Sequence, residues 1–337
     1  MSEMKAEILP THTPALFAAA VKRAADMLRA SEVVALPTET VYGLAANALN
    51  PQAVAKIYEV KGRPAHNPII VHVASVEMAQ RCVTAWPAVA DKLANSFWPG
   101  PLTVVLPHAK EIPELVTAGG PTVGVRWPSH PFIQAVIHEC GFPLAAPSAN
   151  LSTRVSPTNP DHVHKQLGDR IRLIVDGGQS QVGIESTVVD LTSDPPAVLR
   201  PGMIHEPSLI AVTGDLIGHR QVKLPHPQKL PSPGLLKKHY APKAKLLVMH
   251  WRDSADLKVR ISHRASRIHI ITHTHIPSSE GFMGVSVIPH DAEAFARAIY
   301  AELHRCDEAG ADLIVVETLP NAPEWRAISD RLCRAAA

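Results

Sequence analysis

Two cations and an amide precede a predicted strand in the stretch 61–72, whose sequence is KGRPAHNPIIVH. The planar guanidinium of Arg63 can hold two phosphate oxygens at once, and the ammonium of Lys61 acts as a point charge. Asn67 adds an amide beside them. The stretch therefore predicts a phosphate site, and a solvated turn is the alternative interpretation of the same residues.

Arg126 lies in the sequence TVGVRWP, where it alternates with the apolar residues Val123 and Val125. This pattern places it at a strand end, where a guanidinium can bind a carboxylate through two hydrogen bonds. The stretch 37–43, PTETVYG, follows the apolar run VVAL. Hydroxyls and a carboxylate at the carboxyl end of a strand lie where open α/β sheets bind ligands. Arg126 is thus a candidate carboxylate clamp, and a surface ion pair is the alternative.

Small polar side chains follow several other apolar runs. They are Ser148 and Asn150 in AAPSAN, Ser156, and the stretch 183–187, GIEST. Each alone is more typical of a turn cap, but together they describe a polar groove with few acid or base groups. The sequence contains neither GxxxxGK[ST] nor GxGxxG, so a nucleotide would need a site of another construction.

Short apolar runs, each closed by a turn residue, must position these groups. These runs predict the strands of one large mixed sheet. Their sequences are VVALP, PIIVHV, LTVVLP, TVGVRWP, PLAAPSAN, RIRLIVDGG, STVVDLT and AVLRPG. Thr13 and Pro14 begin an amphipathic helix that runs to Arg29, and PAVADKLANSFWPG is a second helical segment. We therefore expect an α/β domain over 1–225.

The segment 226–243 holds four prolines, four lysines and no acid, which predicts a stiff, basic connector. Beyond it, strands KLLVMHW, RIHIITHT, GVSVIPH and DLIVVETLP alternate with helices, so 244–337 is a predicted small parallel α/β domain. His269, His273 and His275 share one face of a strand, which could make a metal site. An exposed strand without a metal is the simpler interpretation.

Composition bounds the function classes. The 337 residues indicate about two domains, and 46% hydrophobic residues indicate a folded chain. A net charge of +2 argues against a protein that coats nucleic acid. The four cysteines form no CxxC pair, so neither a disulfide framework nor a zinc knuckle is indicated. Without a long apolar run or a signal-peptide pattern, we expect a cytoplasmic protein that does not enter membranes.

Seven ordered blocks resemble the YrdC-type domain of threonylcarbamoyl-AMP synthases. These blocks are PTETVYGL, KGRPxxNPIIVH, FWPGPLTVVL, VGVRWP, APSAN, GIESTVVDL and VLRPG. The connector SPGLLKKHYAPK and the tail resemble the longer, two-domain form of the family. One departure is EWRAISDRL, which stands where a more glycine-rich lead into the last helix is expected.

The resemblance implies a twisted open sheet with a concave ligand groove and a small Rossmann-like domain. It implies an enzyme that joins L-threonine, bicarbonate or carbon dioxide, and ATP into threonylcarbamoyl-adenylate and releases pyrophosphate. Mg²⁺ would arrive with ATP, with no metal site on the protein. The product would pass to a separate transferase complex that modifies the adenosine beside the anticodon of tRNA, and weak tRNA binding is left open.

The resemblance also assigns site residues. Lys61, Arg63 and Arg126 would supply the catalytic charge. The prolines and the isolated positive charge of the connector suggest a lid over a bound triphosphate, and a solvated linker that only spaces the domains is the alternative. The implied threonine pocket is Thr40, His72, Arg126, the backbone of Ala146, and Ser186. The implied nucleotide site is Lys61, Arg63, Asn67, Thr122, Ser148, Ser156, Arg200 and Tyr240.

Two other functions compete with this one. The first is an RNA-binding module that uses a basic concave face, but the balanced charge and only 4% aromatic residues count against it. The second is a different carbamoyl-transfer enzyme, against which the lack of acylphosphatase or zinc-finger segments counts.

Overall fold

A computed structural model describes residues 5–219, 239–261 and 265–337. Two sheets organise these residues: a mixed sheet of ten strands in the first part and a parallel sheet of four strands in the second. The predicted α/β class, with a large mixed sheet and a small parallel one, is confirmed. The predicted domain boundary at 225 and most of the connector, 226–238, lie outside the described residues.

The large sheet combines parallel and antiparallel neighbours in the order β1-β8-β2-β3-β7-β4-β6-β5-β9-β10. Its strands are β1 Glu7–Pro10, β2 Val34–Leu36, β3 Gly43–Asn47, β4 Val71–His72, β5 Leu102–Pro107, β6 Thr122–Arg126, β7 Leu144–Ala145, β8 Leu173–Asp176, β9 Thr187–Asp190 and β10 Ala197–Arg200. The β4–β6 pair is parallel, so His72 and Arg126 are direct neighbours across it.

Eight helices cover this sheet in the described part of the chain. They are α1 Pro14–Arg29, α2 Pro51–Lys61, α3 Val76–Arg81, α4 Ala88–Phe97, α5 Glu114–Thr117, α6 Pro131–Cys140, α7 Pro160–Leu167 and α8 Glu206–Thr213. The two predicted helices are confirmed as α1 and α4. The Thr13 hydroxyl caps α1 by accepting from the Leu16 amide, and Phe17 packs edge-on against Phe132 of α6.

The second sheet has the order β11-β14-β12-β13, with every neighbouring pair parallel. Its strands are β11 Lys245–Met249, β12 Ile268–Thr272, β13 Gly284–Val287 and β14 Leu313–Glu317. Its helices are α9 Ser254–Ile261, α10 Ala292–Glu308, a 3-10 turn Pro323–Trp325 and α11 Arg326–Ala335. The four strands predicted from the sequence are all present, and helices alternate with them as predicted.

Two strands of the large sheet were missed by the sequence prediction. Strand β1 pairs only with β8, at the sheet edge. Strand β3, with the sequence GLAAN, contains no β-branched or aromatic residue, so local propensity does not identify it. The missing side chain of Gly43 allows close approach, because a Cβ there would lie 3.3 Å from the Ala146 Cβ. Tertiary packing therefore makes β3 a strand.

The small domain packs on the loops of the large one. One apolar cluster combines Val41, Val155 and Ile184 with Phe295 and Ile299 of α10. Gly183 lies against the same helix with φ +83°, and a Cβ there would be 2.4 Å from the Ala296 carbonyl oxygen. Helix α10 thus rests directly on the GIEST stretch. Among the described residues, no helix is both long and apolar enough to cross a bilayer.

Candidate active site

A polar cavity lies where the carboxyl ends of β2, β4 and β6 meet three loops of the large domain. The residues that line it are Thr38, Thr40, Val41, Gly43, Arg63, Ile70, His72, Arg126, Ala146, Pro147, Ser148, Glu185, Ser186, Arg200, His239 and Tyr240. This is the position expected for a ligand site in an open α/β sheet.

The cavity brings together most of the residues that the sequence analysis assigned. All five residues of the predicted threonine pocket line it: Thr40, His72, Arg126, Ala146 and Ser186. Four predicted nucleotide ligands line it as well: Arg63, Ser148, Arg200 and Tyr240. Lys61, Asn67, Thr122 and Ser156 are not part of this lining.

Arg126 is buried and pairs with a carboxylate. Its Nη2 lies 2.6 Å from Glu39 Oε1, its Nη1 donates to Thr40 Oγ1 at 2.9 Å, and its Nε donates to the Gly100 carbonyl at 3.3 Å. Neither Glu39 oxygen accepts a well-aligned hydrogen bond from any described residue, so charge attraction holds the pair. The alternative of a surface ion pair is wrong, because both side chains are below a tenth exposed.

His72, next to Arg126 across the β4–β6 pair, is a neutral imidazole. Burial and the Arg126 charge lower its pKa to about 3, since both disfavour the imidazolium. Its Nδ1 has no hydrogen-bond partner among the described residues. A neutral ring with an unsatisfied nitrogen on the cavity wall can bond a polar group of a ligand without adding charge.

Arg63 and Arg200 add two more cations to the wall. Arg63 donates from Nη2 to the Pro68 carbonyl at 2.6 Å, and Arg200 donates from Nη2 to Ser186 Oγ at 3.0 Å. Burial lowers the pKa of Arg63 to about 10 and also lowers that of Arg200, because desolvation disfavours the charged form. A pKa of about 10 leaves Arg63 cationic at neutral pH, so the cavity attracts anions.

Lys61 and Asn67 lie behind the cavity lining. The Lys61 ammonium donates to the carbonyls of Ser148 and Asn150 and so holds the loop that carries Ser148. Burial, with the charge of Arg63, lowers the pKa of Lys61 well below its usual value. The Asn67 amide is fully buried, and neither its oxygen nor its nitrogen has a partner in the described part of the chain.

Thr122 and Ser156 are the other two assigned residues away from the lining. Thr122 begins β6 and lies on the same face of the strand as Arg126. The two residues are separated by about 13 Å along the strand, at roughly 3.3 Å per residue. The Ser156 hydroxyl donates to Glu185 Oε1 at 2.6 Å, so its link to the cavity runs through that carboxylate. Their contact with a nucleotide stays a prediction.

Tyr240 belongs to the described end of the connector and projects into the cavity. It is buried with φ 61°, and its hydroxyl has no partner among the described residues. Burial raises its pKa to about 12. The neighbouring backbone is held from both domains, since the Ala241 amide donates to the Thr153 carbonyl and the His239 amide to that of Arg334. A buried, unsatisfied hydroxyl on a cavity wall is poised to bond a ligand.

Several residues that shape the site were not assigned to it from the sequence. Glu39 and Glu185 lie within the stretches PTETVYG and GIEST, so their position next to a strand could have identified them as site residues. No sequence pattern indicates that each of them pairs with an arginine. His239 lies in the connector, and Arg331 and Tyr300 lie in the small domain. No sequence pattern connects these last two to Glu185, which lies more than a hundred residues before them.

The rings of the three tail histidines make their shortest contacts to different side chains, although the backbone amides of His273 and His275 both donate to Glu317. His269 Nε2 contacts Ser286 Oγ at 2.7 Å, His273 Nδ1 contacts His290 Nδ1 at 2.7 Å, and His275 Nδ1 contacts Glu317 Oε1 at 2.6 Å. Within the described ranges, no group of three or more His, Cys, Asp or Glu side chains could hold a metal. The expectation of an exposed strand is wrong, because every residue of β12 is buried.

Comparisons with known proteins agree with this fold and site. The family model Sua5_yciO_yrdC, described as "Telomere recombination", matches residues 26–202, and the model "Threonylcarbamoyl-AMP synthase, C-terminal domain" matches 203–337. The fold and site thus define a Sua5/YrdC-type α/β protein.

Two relatives, both named threonylcarbamoyl-AMP synthase, match this chain over nearly their full length. The threonylcarbamoyl-AMP synthase of Pyrococcus abyssi is 38% identical over 322 residues, covering 94% of this chain and 93% of that protein. The Bacillus subtilis protein of that name is 40% identical over 330 residues, covering 94% and 92%. The crystal structure of P. abyssi Sua5 complexed with L-threonine superposes with a TM-score of 0.86 at 36% identity, covering 94% of both chains. This chain belongs to the threonylcarbamoyl-AMP synthase family, in its two-domain form.

Proposed function

We propose that this protein is an L-threonylcarbamoyladenylate synthase, a nucleotidyltransferase that uses L-threonine, bicarbonate or carbon dioxide, and ATP. The observation that carries the proposal is the charge of the cavity. Three buried arginines, Arg63, Arg126 and Arg200, line it together with one carboxylate, Glu185. Such a wall suits a substrate carboxylate and a triphosphate in one site.

Threonine binds at the β4–β6 side of the cavity. Arg126 takes its carboxylate, Thr40 and Ser186 offer hydroxyls, His72 offers a neutral nitrogen, and Ala146 offers backbone groups. The threonine amine forms a bond to the carbon of carbon dioxide and releases one proton to solvent. From bicarbonate the same carbamate forms when a carbon–oxygen bond breaks and water leaves. A carbamate oxygen then attacks the α-phosphorus of ATP, and the bond to pyrophosphate breaks. Positioning and charge neutralisation supply most of the catalysis in such a transfer.

The nucleotide lies toward Arg63, Arg200, Ser148 and Tyr240. Lys61, Asn67, Thr122 and Ser156 complete the proposed set, and Lys61 acts at least by holding the Ser148 loop. The two arginines offset the charge that builds on the leaving pyrophosphate. ATP enters as its Mg²⁺ complex, with the metal held by phosphate oxygens and water, because the one carboxylate of the lining is already paired with Arg331.

The connector, 226–243, acts as a lid in this proposal. Its described end places Tyr240 in the cavity, which supports closure over bound substrates. Closing such a segment excludes water and strengthens the electrostatic contacts inside. The lysines of the segment, Lys237 and Lys238, would bring further positive charge.

The product, a mixed anhydride, is passed on in the cytoplasm to a separate tRNA threonylcarbamoyl transferase complex. Weak tRNA binding by this chain is a further expectation, and a filter-binding titration over a range of salt concentrations measures it.

Pyrophosphate release tests the proposed function. With MgATP present, release should require both bicarbonate and L-threonine, and mass spectrometry should detect the adenylate. L-Serine should work less well, since packing of the threonine methyl against the apolar part of the cavity wall contributes about 1–3 kcal/mol to discrimination. Equal release without an amino acid would exclude this function, and tight RNA binding independent of threonine would favour an RNA-binding module.

A further inference from the structure

Arg331 of the last helix, α11, reaches from the small domain to the wall of the cavity. Its side chain is 1% exposed. Nε donates to Glu185 Oε2 at 2.9 Å, Nη2 donates to the Glu185 carbonyl at 3.3 Å, and Nη1 donates to Asp330 Oδ2 at 3.0 Å. One guanidinium of the small domain therefore holds both the side chain and the backbone of a cavity residue.

Glu185 is bonded from both domains. Ser156 Oγ of the large domain donates to Oε1 at 2.6 Å, and the Tyr300 hydroxyl of α10 donates to Oε2 at 3.1 Å. Burial raises the pKa of this carboxyl, but the charges of Arg331 and Arg200 outweigh burial and bring it below its ordinary value. Glu185 is therefore an ionised carboxylate on the wall of a site proposed to receive a triphosphate.

The same guanidinium lies beside the connector. The Cζ of Arg331 is 5.4 Å from the centre of the Tyr240 ring, within cation–π range. The Tyr240 ring in turn stacks on Tyr300, with 6.0 Å between the ring centres. Arg331 thus contacts the two cavity residues, Glu185 and Tyr240, that face the space proposed for the nucleotide.

We infer that Arg331 is a positioning residue for ATP. Its guanidinium neutralises Glu185 and holds this carboxylate, together with Ser156 and Tyr240, in place around the nucleotide. The inference rests on the proposed function, because Ser156 and Tyr240 are among its nucleotide ligands. Without Arg331, the incoming phosphates would face a buried carboxylate that has lost its ion-pair partner and keeps only the more distant charge of Arg200, and like charges at short range oppose binding. The small domain is then part of the ATP site through Arg331, with Tyr300 bonded to the same carboxylate.

Docking of the small domain is the competing role, and α11 offers a matched control. Arg326 on the same helix also makes an ion pair across the domains, with Nη1 2.5 Å from Glu206 Oε2. That pair is partly exposed, and neither residue lines the cavity. A docking role predicts similar effects at both arginines, whereas a positioning role predicts an effect on ATP at Arg331 alone.

The test uses the full chain with Arg331→Gln, Arg331→Lys, Arg326→Gln, and Arg331→Gln combined with Glu185→Gln. Calorimetry measures the affinities for MgATP and threonine, and pyrophosphate release gives kcat and KM. Thermal denaturation shows whether each variant is folded. Arg331→Gln should weaken ATP binding by about tenfold or more while threonine affinity changes by less than about twofold. Arg326→Gln should leave both unchanged. The double variant should recover most of the ATP affinity, because the uncompensated carboxylate is gone.

Equal loss of ATP affinity in the Arg331→Gln and Arg326→Gln variants would overturn the inference. No recovery in the double variant would overturn it as well. If Arg331→Gln fails to fold, Arg331→Lys decides, since a retained charge should keep ATP affinity within about threefold of the unsubstituted chain. If the unsubstituted chain binds MgATP but releases no pyrophosphate, the proposed function fails, while the comparison of ATP affinities still decides the role of Arg331.

Discussion

The guanidinium of Arg126 and the carboxylate of Glu39 form a buried ion pair, with 2.6 Å between Nη2 and Oε1. Arg126 also donates to Thr40 from the other terminal nitrogen, which leaves the guanidinium fixed at the cavity wall. Glu39 itself is not part of the lining. The carboxylate thus orients the cation from behind, and a second carboxylate can approach it from the cavity.

Arg126→Ala should weaken threonine binding and leave ATP binding nearly unchanged. Loss of a charged partner at a buried carboxylate typically costs about 2–5 kcal/mol, so the dissociation constant for threonine should rise by well over tenfold. Calorimetric titration of each ligand measures the two effects separately. Unchanged threonine affinity would show that Arg126 is not the clamp.

A second substitution separates the effect of Arg126→Ala on the free energy of unfolding from its effect on threonine binding. Arg126→Ala strands the Glu39 carboxylate, which should lower the free energy of unfolding by about 3–5 kcal/mol. Adding Glu39→Gln removes the stranded charge and should restore part of that stability without restoring threonine binding. Recovery of both together would mean that the binding loss came from unfolding.

Gly183→Ala should separate the small domain from the large one. The residue has φ +83°, and its new Cβ would lie 2.4 Å from the Ala296 carbonyl oxygen of α10. Left-handed backbone and overpacking together should lower the free energy of unfolding by about 2–5 kcal/mol. Chemical denaturation measures this cost, and hydrogen exchange of α10 reports the separation.

Gly178→Ala is the matched control for this substitution. Its φ is +76°, but among the described residues no atom beyond its two chain neighbours lies within 4 Å of the position of a Cβ. Gly178→Ala should therefore lower the free energy of unfolding by only about 1–2 kcal/mol, which is the cost of the left-handed backbone. Hydrogen exchange in α10 should not change. Equal effects of the two substitutions would refute a role of Gly183 in domain contact.

Stability should fall as the pH drops below about 6.5, the ordinary pKa of histidine. His162 stacks on His304 across the domains, with 3.9 Å between ring centres, and burial followed by the His304 charge lowers its pKa to about 3. Between these two values the unfolded chain binds more protons than the folded one. The free energy of unfolding should thus decrease by up to about 1.4 kcal/mol per pH unit for this residue.

Urea denaturation at several pH values between 7 and 4 measures that dependence. His162→Phe keeps a ring against His304 but removes one titrating group, so its stability should depend less steeply on pH. An unchanged slope would assign the pH dependence to other buried histidines, such as His72, whose pKa is also lowered to about 3.

The lid proposal predicts protection of the connector by substrates. Trypsin cleavage after Lys237 and Lys238 should slow when MgATP and threonine are added together, since a closed segment is a poorer protease substrate. Tyr240→Ala should lower turnover while leaving threonine affinity intact. Cleavage that is equally fast with and without both substrates would exclude closure.

Much of the candidate site was predictable because its residues lie next to strand ends. Thr40, His72 and Arg126 follow or end a short apolar run, and Ser186 precedes one. The carboxyl ends of β2, β4 and β6 and the amino end of β9 meet at one edge of the mixed sheet, because β9 runs antiparallel to β6 through β5. The family resemblance added the ligand assigned to each residue. The strand β3 was missed, since its alanines and glycine carry no local strand propensity and only packing against β2 and β7 makes them extended.

The sequence by itself determined the element types, the two-sheet organisation and the polar groups of the site, because periodicity, turn residues and strand ends are local properties of the chain. Only the tertiary structure decided what those groups contact. The pairing of Glu39 with Arg126, and of Glu185 with Arg331 over 146 residues, depends on long-range packing that no local pattern encodes. Burial then sets the charge states, since desolvation and the neighbouring cations keep His72 neutral and leave Glu185 ionised.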